Sequence, residues 1–180
     1  MKDNLKELLP IVDKEGNVVG SASRGKCHDG SMLLHPVVHL HVLNTNGELY
    51  LQKRPTWKAI QPGKWDSSVG GHVDFGETPD VSITREMDEE LGISNLKPRY
   101  IGNYIFEGQS ERELVYVYIA NYQGNIHPST SELDGGRFWT IQEVSDSIGK
   151  GLLTPNLEEE IKWMYSIGVL EFKNFEFTVP

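Results

Sequence analysis

Residues 84–93, TREMDEELGI, place three glutamates where their carboxylates can act together. Positions three and four apart share one face of an α-helix, so Glu86, Glu89 and Glu90 are predicted to converge within one turn. Like charges at this spacing destabilise a helix, and a bound cation would relieve their repulsion. Oxygen ligands of this kind suit Mg²⁺ or Mn²⁺. The alternative interpretation is an ordinary solvated helix face.

The helix that carries these glutamates has its own start and stop signals. Thr78 is a candidate N-cap, Pro79 suits the first helical position, and Gly92 is a candidate C-cap. An apolar stripe with steps of four residues follows the same helix at Ile83, Met87 and Leu91. The stripe predicts that this side packs on a core and that the glutamates lie on the side away from it.

Histidines form a second group of possible ligands. Four of the six histidines lie between residues 28 and 41, and another follows Gly71. The five residues are His28, His35, His39, His41 and His72. Taken singly, each is more typical of a surface or core histidine than of a metal ligand.

The remaining elements are predicted to be mainly β-strands. Turn signals at residues 14–17 and 46–47 each separate two apolar segments, as in β-hairpins. Further strands are predicted at residues 100–106, 114–122 and 137–140. Residues 55–66 are interpreted as a loop, since proline and glycine interrupt them.

A second capped helix is predicted at about residues 155–167. Its three glutamates, in NLEEEIKW, are interpreted as solvated residues of a first turn, where the helix dipole favours acids. Hairpins combined with one central and one C-terminal helix indicate an α+β fold built in layers.

Composition limits the class of protein. A chain of 180 residues predicts one domain, residues 1–180. A formal charge of −9 and a pI near 5.1 oppose a nucleic-acid partner but allow a small phosphorylated ligand. Cys27 is the one cysteine, so no internal disulfide can form. No apolar run has the length of a membrane span or a secretory signal, so we expect a soluble, cytoplasmic protein without a membrane partner.

The spacing around the glutamates resembles the complete Nudix box of the Nudix hydrolase superfamily. Gly71, Glu77, residues 85–87, 89–90 and 92–93 fill every fixed position of that motif. The resemblance implies the Nudix fold, a mixed β-sheet sandwiched between α-helices, with the box at residues 71–93. It also implies that water attacks a small-molecule diphosphate linked to another moiety, with the assistance of Mg²⁺ or Mn²⁺.

The resemblance also assigns roles within the box. The implied metal-site residues are Gly71, through its carbonyl, Glu77, Glu86, Glu89 and Glu90. Among them, Glu86 and Glu90 would be the principal ligands. Arg85 would pair with a glutamate and orient it.

Residues 8–42 and 53–77 resemble one branch of the superfamily, the type 1 isopentenyl-diphosphate isomerases. These enzymes hold a second metal with three histidines and two glutamates, and the residues that match here are His28, His35, His72, Glu111 and Glu113. Such a site suits Zn²⁺ or Mn²⁺; the alternative is inherited scaffolding without a metal. The residues that match the diphosphate-binding segment and its tryptophan are Lys53, Arg54, Lys58 and Trp65.

One position departs from the isomerase pattern. Isomerases carry their catalytic cysteine directly before the Gly-His of the box, where this chain has Gly70. Moving protons on an alkene needs a paired acid and base, and the missing thiol removes one of them. The sequence therefore favours a diphosphate hydrolase, with an isomerase-like enzyme and a non-catalytic diphosphate sensor as the alternatives.

Substrate, base and oligomeric state stay open at this level. The candidate stacking residues are Trp57, Tyr104, Phe106 and Trp139, each of which could equally belong to the core. The candidate general bases are Glu89, Glu111, Glu113 and Glu132. A homodimer is possible by resemblance, and residues 171–180 could form an edge strand or a partner-binding tail.

Overall fold

Nine strands and four helices make up the part of the chain that the computed structural model describes, residues 4–58 and 60–170. The strands are β1 (Leu8–Val12), β2 (Val18–Ser23), β3 (Leu34–Leu43), β4 (Leu49–Lys53), β5 (Trp65–Asp66), β6 (Val69–His72), β7 (Arg99–Glu107), β8 (Arg112–Asn121) and β9 (Gly136–Trp139). The helices are α1 (Arg24–Cys27), α2 (Pro79–Leu91), α3 (Ile141–Ser147) and α4 (Pro155–Ser166). None of the described helices is long and apolar enough to cross a membrane.

The strands form one small and one large sheet. β1 and β2 pair as an antiparallel hairpin. The large sheet has the order β5-β4-β3-β8-β7, with β6 added beside β3 and β9 beside β4. β3 and β8 run parallel and the other pairs are antiparallel, so the sheet is mixed.

Strand β3 shows how the two faces of this sheet are covered. Its side chains alternate between the faces. Val38, Leu40 and Val42 pack with Ile83, Met87 and Leu91 of α2. Val37, on the other face, packs with Leu157, Ile161 and Met164 of α4. The predicted α+β fold with a mixed sheet between helices is confirmed.

The predicted limits of α2 also agree with the structure. Thr78 is the N-cap residue and is extended, although its side chain makes no capping hydrogen bond. Gly92 closes the helix in the left-handed region at φ 67°, which favours glycine; its N–H donates to the carbonyl of Asp88, and the N–H of Ile93 donates to that of Met87. With these ends, Glu86, Glu89 and Glu90 all lie in the last turns of α2.

Several short elements were not predicted from the sequence. They are α1, β5, β6 and α3. Residues 55–66 are therefore not loop throughout, because Trp65–Asp66 pairs with the end of β4. The predicted strand or tail at residues 171–180 lies outside the described residues, and the single domain over residues 1–180 stays a prediction.

Candidate active site

A cleft of about 1000 Å³ opens beside the last turns of α2 and the glycines of β6. Acidic residues dominate its wall, and they include Asp66, Glu86, Glu89, Glu90, Glu111, Glu113 and Glu132. Basic and imidazole side chains also line it: Arg24, His28, His39, Arg54, Lys58, His72 and Arg85. All three glutamates of the acidic turn therefore reach one cavity.

The side chain of Glu86 packs directly against the backbone of Gly71 in β6. A Cβ at Gly71 would lie 2.1 Å from Cδ of Glu86, so only glycine leaves room for this carboxylate. Burial raises the pKa of Glu86 to about 7, against the opposing charge of Arg85. A cation placed in the cleft would offset that cost of burying the charge.

Glu90 is the more deeply buried acid of the pair, with 6% of its surface exposed. Its Oε2 accepts the backbone N–H of Gly70 at 3.1 Å and the side-chain amide of Gln52 at 3.4 Å. Burial raises its pKa well above the ordinary value, and the charge of Glu86 adds to this effect. The position differs from the predicted one, because Glu90 lies at the buried edge of the helix rather than opposite its apolar stripe.

Arg85 joins the box residues into one ion-pair network. Its Nη1 lies 2.8 Å from Oε1 of Glu86 and 3.4 Å from Oε2 of Glu89. Its Nη2 lies 3.0 Å from Oε2 of Glu77 and donates to the carbonyl of His72 at 3.2 Å. Arg85 is thus placed to orient Glu86.

Glu77 contacts protein groups rather than the cleft. Its carboxylate accepts from Arg85 and from the hydroxyl of Ser82, at 2.7 Å. The hydrogen bond from Arg85 lowers its pKa. The sequence predicted a place close to the metal, and the described cleft wall does not include this residue. Its contacts suit a residue that positions Arg85.

Three histidines meet beside the cleft, and two of them, His28 and His72, line it. One ring nitrogen from each of His28, His35 and His72 lies within 4.8 Å of the others. Among the described residues this is the one group of three potential ligands that meets this distance. Nδ1 of His28 lies 2.6 Å from Oε2 of Glu111. Four of the five residues predicted for the second site therefore lie together.

The chemistry of these side chains fits a transition metal. Burial lowers the pKa of His35 to about 4 and that of His72 well below its ordinary value, so both rings are neutral, the form that binds metals. Nε2 of His35 is buried without a hydrogen-bond partner. A metal ligated there would give this nitrogen a partner.

Glu113, the fifth predicted residue, lines the cleft but has a different partner. Its Oε2 accepts the side-chain amide of Asn156 at 3.0 Å. Burial raises the pKa of Glu113 to about 8, and the nearby charge of Glu111 contributes. A carboxyl group of this kind can hold a proton near neutral pH.

The residues predicted to bind the diphosphate separate into two groups. Arg54 and Lys58 line the cleft, and Nη1 of Arg54 lies 2.9 Å from Oδ2 of Asp66. Lys53 and Trp65 are cross-strand partners on β4 and β5, and neither is among the residues that line it. Alternation along β4 turns Gln52 toward the cleft and Lys53 away from it. Trp65 packs on Trp139 instead, with ring centroids 5.1 Å apart.

A buried network around Glu160 was missed by the sequence prediction. Oε2 of Glu160 lies 2.8 Å from Nδ1 of His39 and accepts the hydroxyl of Tyr104 at 2.7 Å. Oε1 contacts Nε2 of His41. Glu160 is fully buried, so its interpretation as a solvated first-turn residue is wrong. The spacing offered a signal, since Glu160 follows Leu157 by three residues and shares its helix face.

The charges of this network are mutually stabilising. Burial alone would raise the pKa of Glu160, but His39 and His41 lower it well below the ordinary value. Burial likewise disfavours charge on His39, but Glu160 raises its pKa to about 9. His39 is therefore an imidazolium at neutral pH.

Other predicted contributors are only partly in the cleft. Of the four aromatic candidates, Phe106 lines it, whereas the described wall does not include Trp57, Tyr104 or Trp139. All four candidate bases line it: Glu89, Glu111, Glu113 and Glu132. Phe106 is therefore the one aromatic candidate on the described cleft wall, and all four candidate bases remain.

Comparison with known proteins gives the same family from sequence and from structure. The NUDIX domain model matches residues 33–164. An uncharacterized Nudix hydrolase from Streptomyces coelicolor is 30% identical over 152 residues, which are 83% of this chain and 83% of that protein. An isopentenyl-diphosphate Delta-isomerase from Streptomyces avermitilis is 28% identical over 149 residues, 79% of this chain and 76% of that protein.

A solved structure agrees with these relatives. The crystal structure of DR0079 from Deinococcus radiodurans matches with a TM-score of 0.77 and 25% identity, over 88% of this chain and 99% of that chain. The chain belongs to the NUDIX domain family, and the prediction of a Nudix hydrolase is confirmed at the level of the family.

Proposed function

We propose that this protein is a metal-dependent hydrolase that cleaves a diphosphate linked to another moiety, such as a nucleoside diphosphate derivative. One observation carries the proposal: the half-buried Glu86 and the buried Glu90 face one cleft, and burial raises the pKa of both carboxyl groups. A divalent ion, Mg²⁺ or Mn²⁺, would be held by Glu86 and Glu90, with Glu89 and the carbonyl of Gly71 nearby.

The bound ion would neutralise phosphate oxygens and lower the pKa of a bound water, which makes that water a better nucleophile. The chain itself supplies positioning and electrostatics. Arg85 keeps Glu86 pointed into the cleft, and Gly71 leaves the space for it. Arg54 and Lys58 supply positive charge on the cleft wall. A carboxylate of the wall, Glu89, Glu111, Glu113 or Glu132, would accept the proton from water.

The histidine cluster would hold a second ion, Zn²⁺ or Mn²⁺, through His28, His35, His72 and Glu111. Metal analysis of protein purified without chelator tests this. We expect a tightly held transition metal in the wild type and its loss in His28→Ala. Wild-type protein that retains only Mg²⁺, together with unchanged behaviour of His28→Ala, would reject the second site.

The function is tested by a screen of diphosphate-linked compounds with Mg²⁺ or Mn²⁺, in which released phosphate or phosphomonoester is measured. Glu90→Gln should lower turnover by about two to three orders of magnitude, the typical cost of losing a main electrostatic stabiliser of a transition state. Circular dichroism of the variant checks that the fold is kept. Full turnover by Glu90→Gln would count against the assignment.

A second candidate function is isomerisation of an isoprenoid diphosphate. It is favoured by the histidine cluster with Glu111, together with relatives that carry the isomerase name. Gly70 in place of the catalytic cysteine opposes it. Incubation with isopentenyl diphosphate distinguishes the two, because an isomerase returns the isomerised diphosphate whereas a hydrolase releases phosphate or the monophosphate.

A homodimer and a single domain over residues 1–180 are further parts of the proposal. Light scattering of the purified protein would determine the oligomeric state. Proteolysis would determine whether a stable fragment smaller than the whole chain exists.

A further inference from the structure

One imidazole on the cleft wall has no role in either predicted metal site. His39 lies in the middle of β3 and pairs with Gly70 of β6. It is 8% exposed and lines the cleft. A titratable side chain that is almost fully buried, yet borders the cavity through one edge, is placed to meet whatever fills the cavity.

The two edges of the His39 ring have different neighbours. Nδ1 faces Glu160, at 2.8 Å from Oε2. The opposite edge faces Gly70, where a Cβ would lie 3.5 Å from Cδ2 and 3.7 Å from Nε2. Because Gly70 has no side chain, nothing from this residue covers Nε2 on the cleft side. Gly70 also donates its N–H to Glu90, a predicted metal ligand, so Gly70 contacts both His39 and Glu90.

Glu160 determines the protonation of the ring. Its carboxylate accepts from Nδ1, which therefore carries a proton. The negative charge raises the pKa of His39 to about 9, so that Nε2 carries a proton as well at neutral pH. The cleft thus contains a cationic N–H donor, His39 Nε2, whose ring is held by Glu160 through Nδ1. The charges of Asp66 and Glu113 also favour the cationic form of the ring.

We propose that His39 contacts the substrate, and that its Nε2–H donates a hydrogen bond to an oxygen of the diphosphate bound beside Gly70. The inference rests on the proposed hydrolase function and adds a residue to its binding machinery. Metal ions held by Glu86 and Glu90 would neutralise some phosphate oxygens, and His39 would neutralise another. The position that holds the catalytic thiol in the isomerase branch is left open by Gly70, and this opening gives the substrate access to His39.

Two substitutions of the same residue separate substrate contact from structural support. His39→Asn places an amide near the Nδ1 position, so it keeps a donor for Glu160 and removes the cleft edge. His39→Gln reaches further, so it presents a neutral donor to the cleft and gives up the contact with Glu160. We expect kcat/KM to fall by about 10- to 100-fold in His39→Asn, the usual range for a lost hydrogen bond to a charged group, and by less in His39→Gln.

The matched control is His41→Gln. His41 contacts the same carboxylate through Nε2 but is fully buried and is absent from the described cleft wall. This variant should keep kcat/KM within a few-fold, even if it melts at a lower temperature. Gly70→Ala gives an independent test, since its methyl group fits at ordinary contact distances but covers the edge of His39. It should lose activity without losing stability.

A binding measurement keeps this inference separate from the proposed function. Methylenediphosphonate with Mg²⁺ cannot be hydrolysed, and its binding should shift the ¹⁵N resonance of His39 Nε2 in the wild-type protein. A shifted His39 in a protein that hydrolyses nothing would reject the proposed function and support the contact. The contact is overturned if the probe leaves His39 unshifted, or if His39→Asn is at least as active as His39→Gln.

Discussion

Helices α2 and α4 each carry a run of glutamates, and the two runs meet opposite surroundings. Glu90 of α2 and Glu160 of α4 are both buried. Burial raises the pKa of Glu90, and the charges of Glu86 and Glu132 add to this effect more than Lys58 opposes it. Glu160 has His39 and His41, and its pKa is lowered. Burial is shared, so the sign of the neighbours decides whether a buried acid attracts an external cation or anchors the fold.

The largest loss of stability is expected when the carboxylate of Glu160 is removed. Glu160→Gln leaves His39 and His41 without their shared negative charge inside the protein. Breaking a buried ion pair from one side costs about 3–5 kcal/mol in the free energy of unfolding. Urea denaturation measures this loss.

Glu158→Gln is the matched control on the same helix. Glu158 accepts the N–H of Gly149 at 3.0 Å, a single bond near the surface. Its replacement should cost about 0.5–1 kcal/mol. Equal losses for the two variants would mean that Glu160 does not stabilise the fold through His39 and His41.

A second prediction concerns pH. The pKa of His39 is raised in the folded protein to about 9 by Glu160, with Asp66 and Glu113 contributing. The stabilisation it gives is complete below its unfolded pKa near 6.5 and is lost as pH rises through about 9. The free energy of unfolding should therefore fall by about 3 kcal/mol more in the wild type than in His39→Gln between about pH 6 and pH 9.5.

The comparison with His39→Gln is needed because Glu113 also titrates in this range. The raised pKa values of Glu113, about 8, and Glu86, about 7, make stability fall as pH rises toward those values in both proteins. Identical pH profiles of the two proteins would mean that Glu160 does not hold His39 in its charged form.

The α2 side can be disturbed through the strand beside it. Gly71→Ala would bring a methyl group to 2.1 Å from Cδ of Glu86, so the carboxylate must move. We expect a loss of about 1–2 kcal/mol from overpacking, and weaker Mg²⁺ binding by calorimetry. Gly20→Ala is the control, since a Cβ there meets nothing within 4 Å. Mg²⁺ affinity unaffected by Gly71→Ala would show that Glu86 is not held as described.

The smallest predicted change in stability is an increase, for Glu86→Gln. Because burial raises the pKa of Glu86 to about 7, its charge is unfavourable to folding above that pH when no metal is bound. Glu86→Gln should thus raise metal-free stability by about 1 kcal/mol at pH 8. The rise in melting temperature that Mg²⁺ gives the wild type should disappear in the variant. A destabilised metal-free variant would contradict this account.

The sequence predicted α2 and its acidic turn well because their determinants are local. The spacing of Glu86 and Glu90, the proline at the start and the glycine at the end all lie within one helix or beside it. Residue types matched to a known pattern also identified His28, His35, His72 and Glu111 as neighbours, although they come from four separate segments.

The rest depended on contacts that a linear pattern does not contain. Lys53 and Trp65 lie outside the cleft because β4 continues to Lys53 and pairs with β5, which fixes the face of each side chain. Glu160 was misjudged because its partners lie on a distant strand. A run of acids looks the same whether water or imidazoles surround it.

The link between α4 and β3 also sets an order during synthesis. His39 and His41 are made 121 and 119 residues before Glu160. Until that helix is made, two buried strand positions carry imidazoles without their acceptor, and the cleft wall lacks its support. A chain that stops before Thr154 lacks Glu160 and should therefore unfold more readily than the full chain.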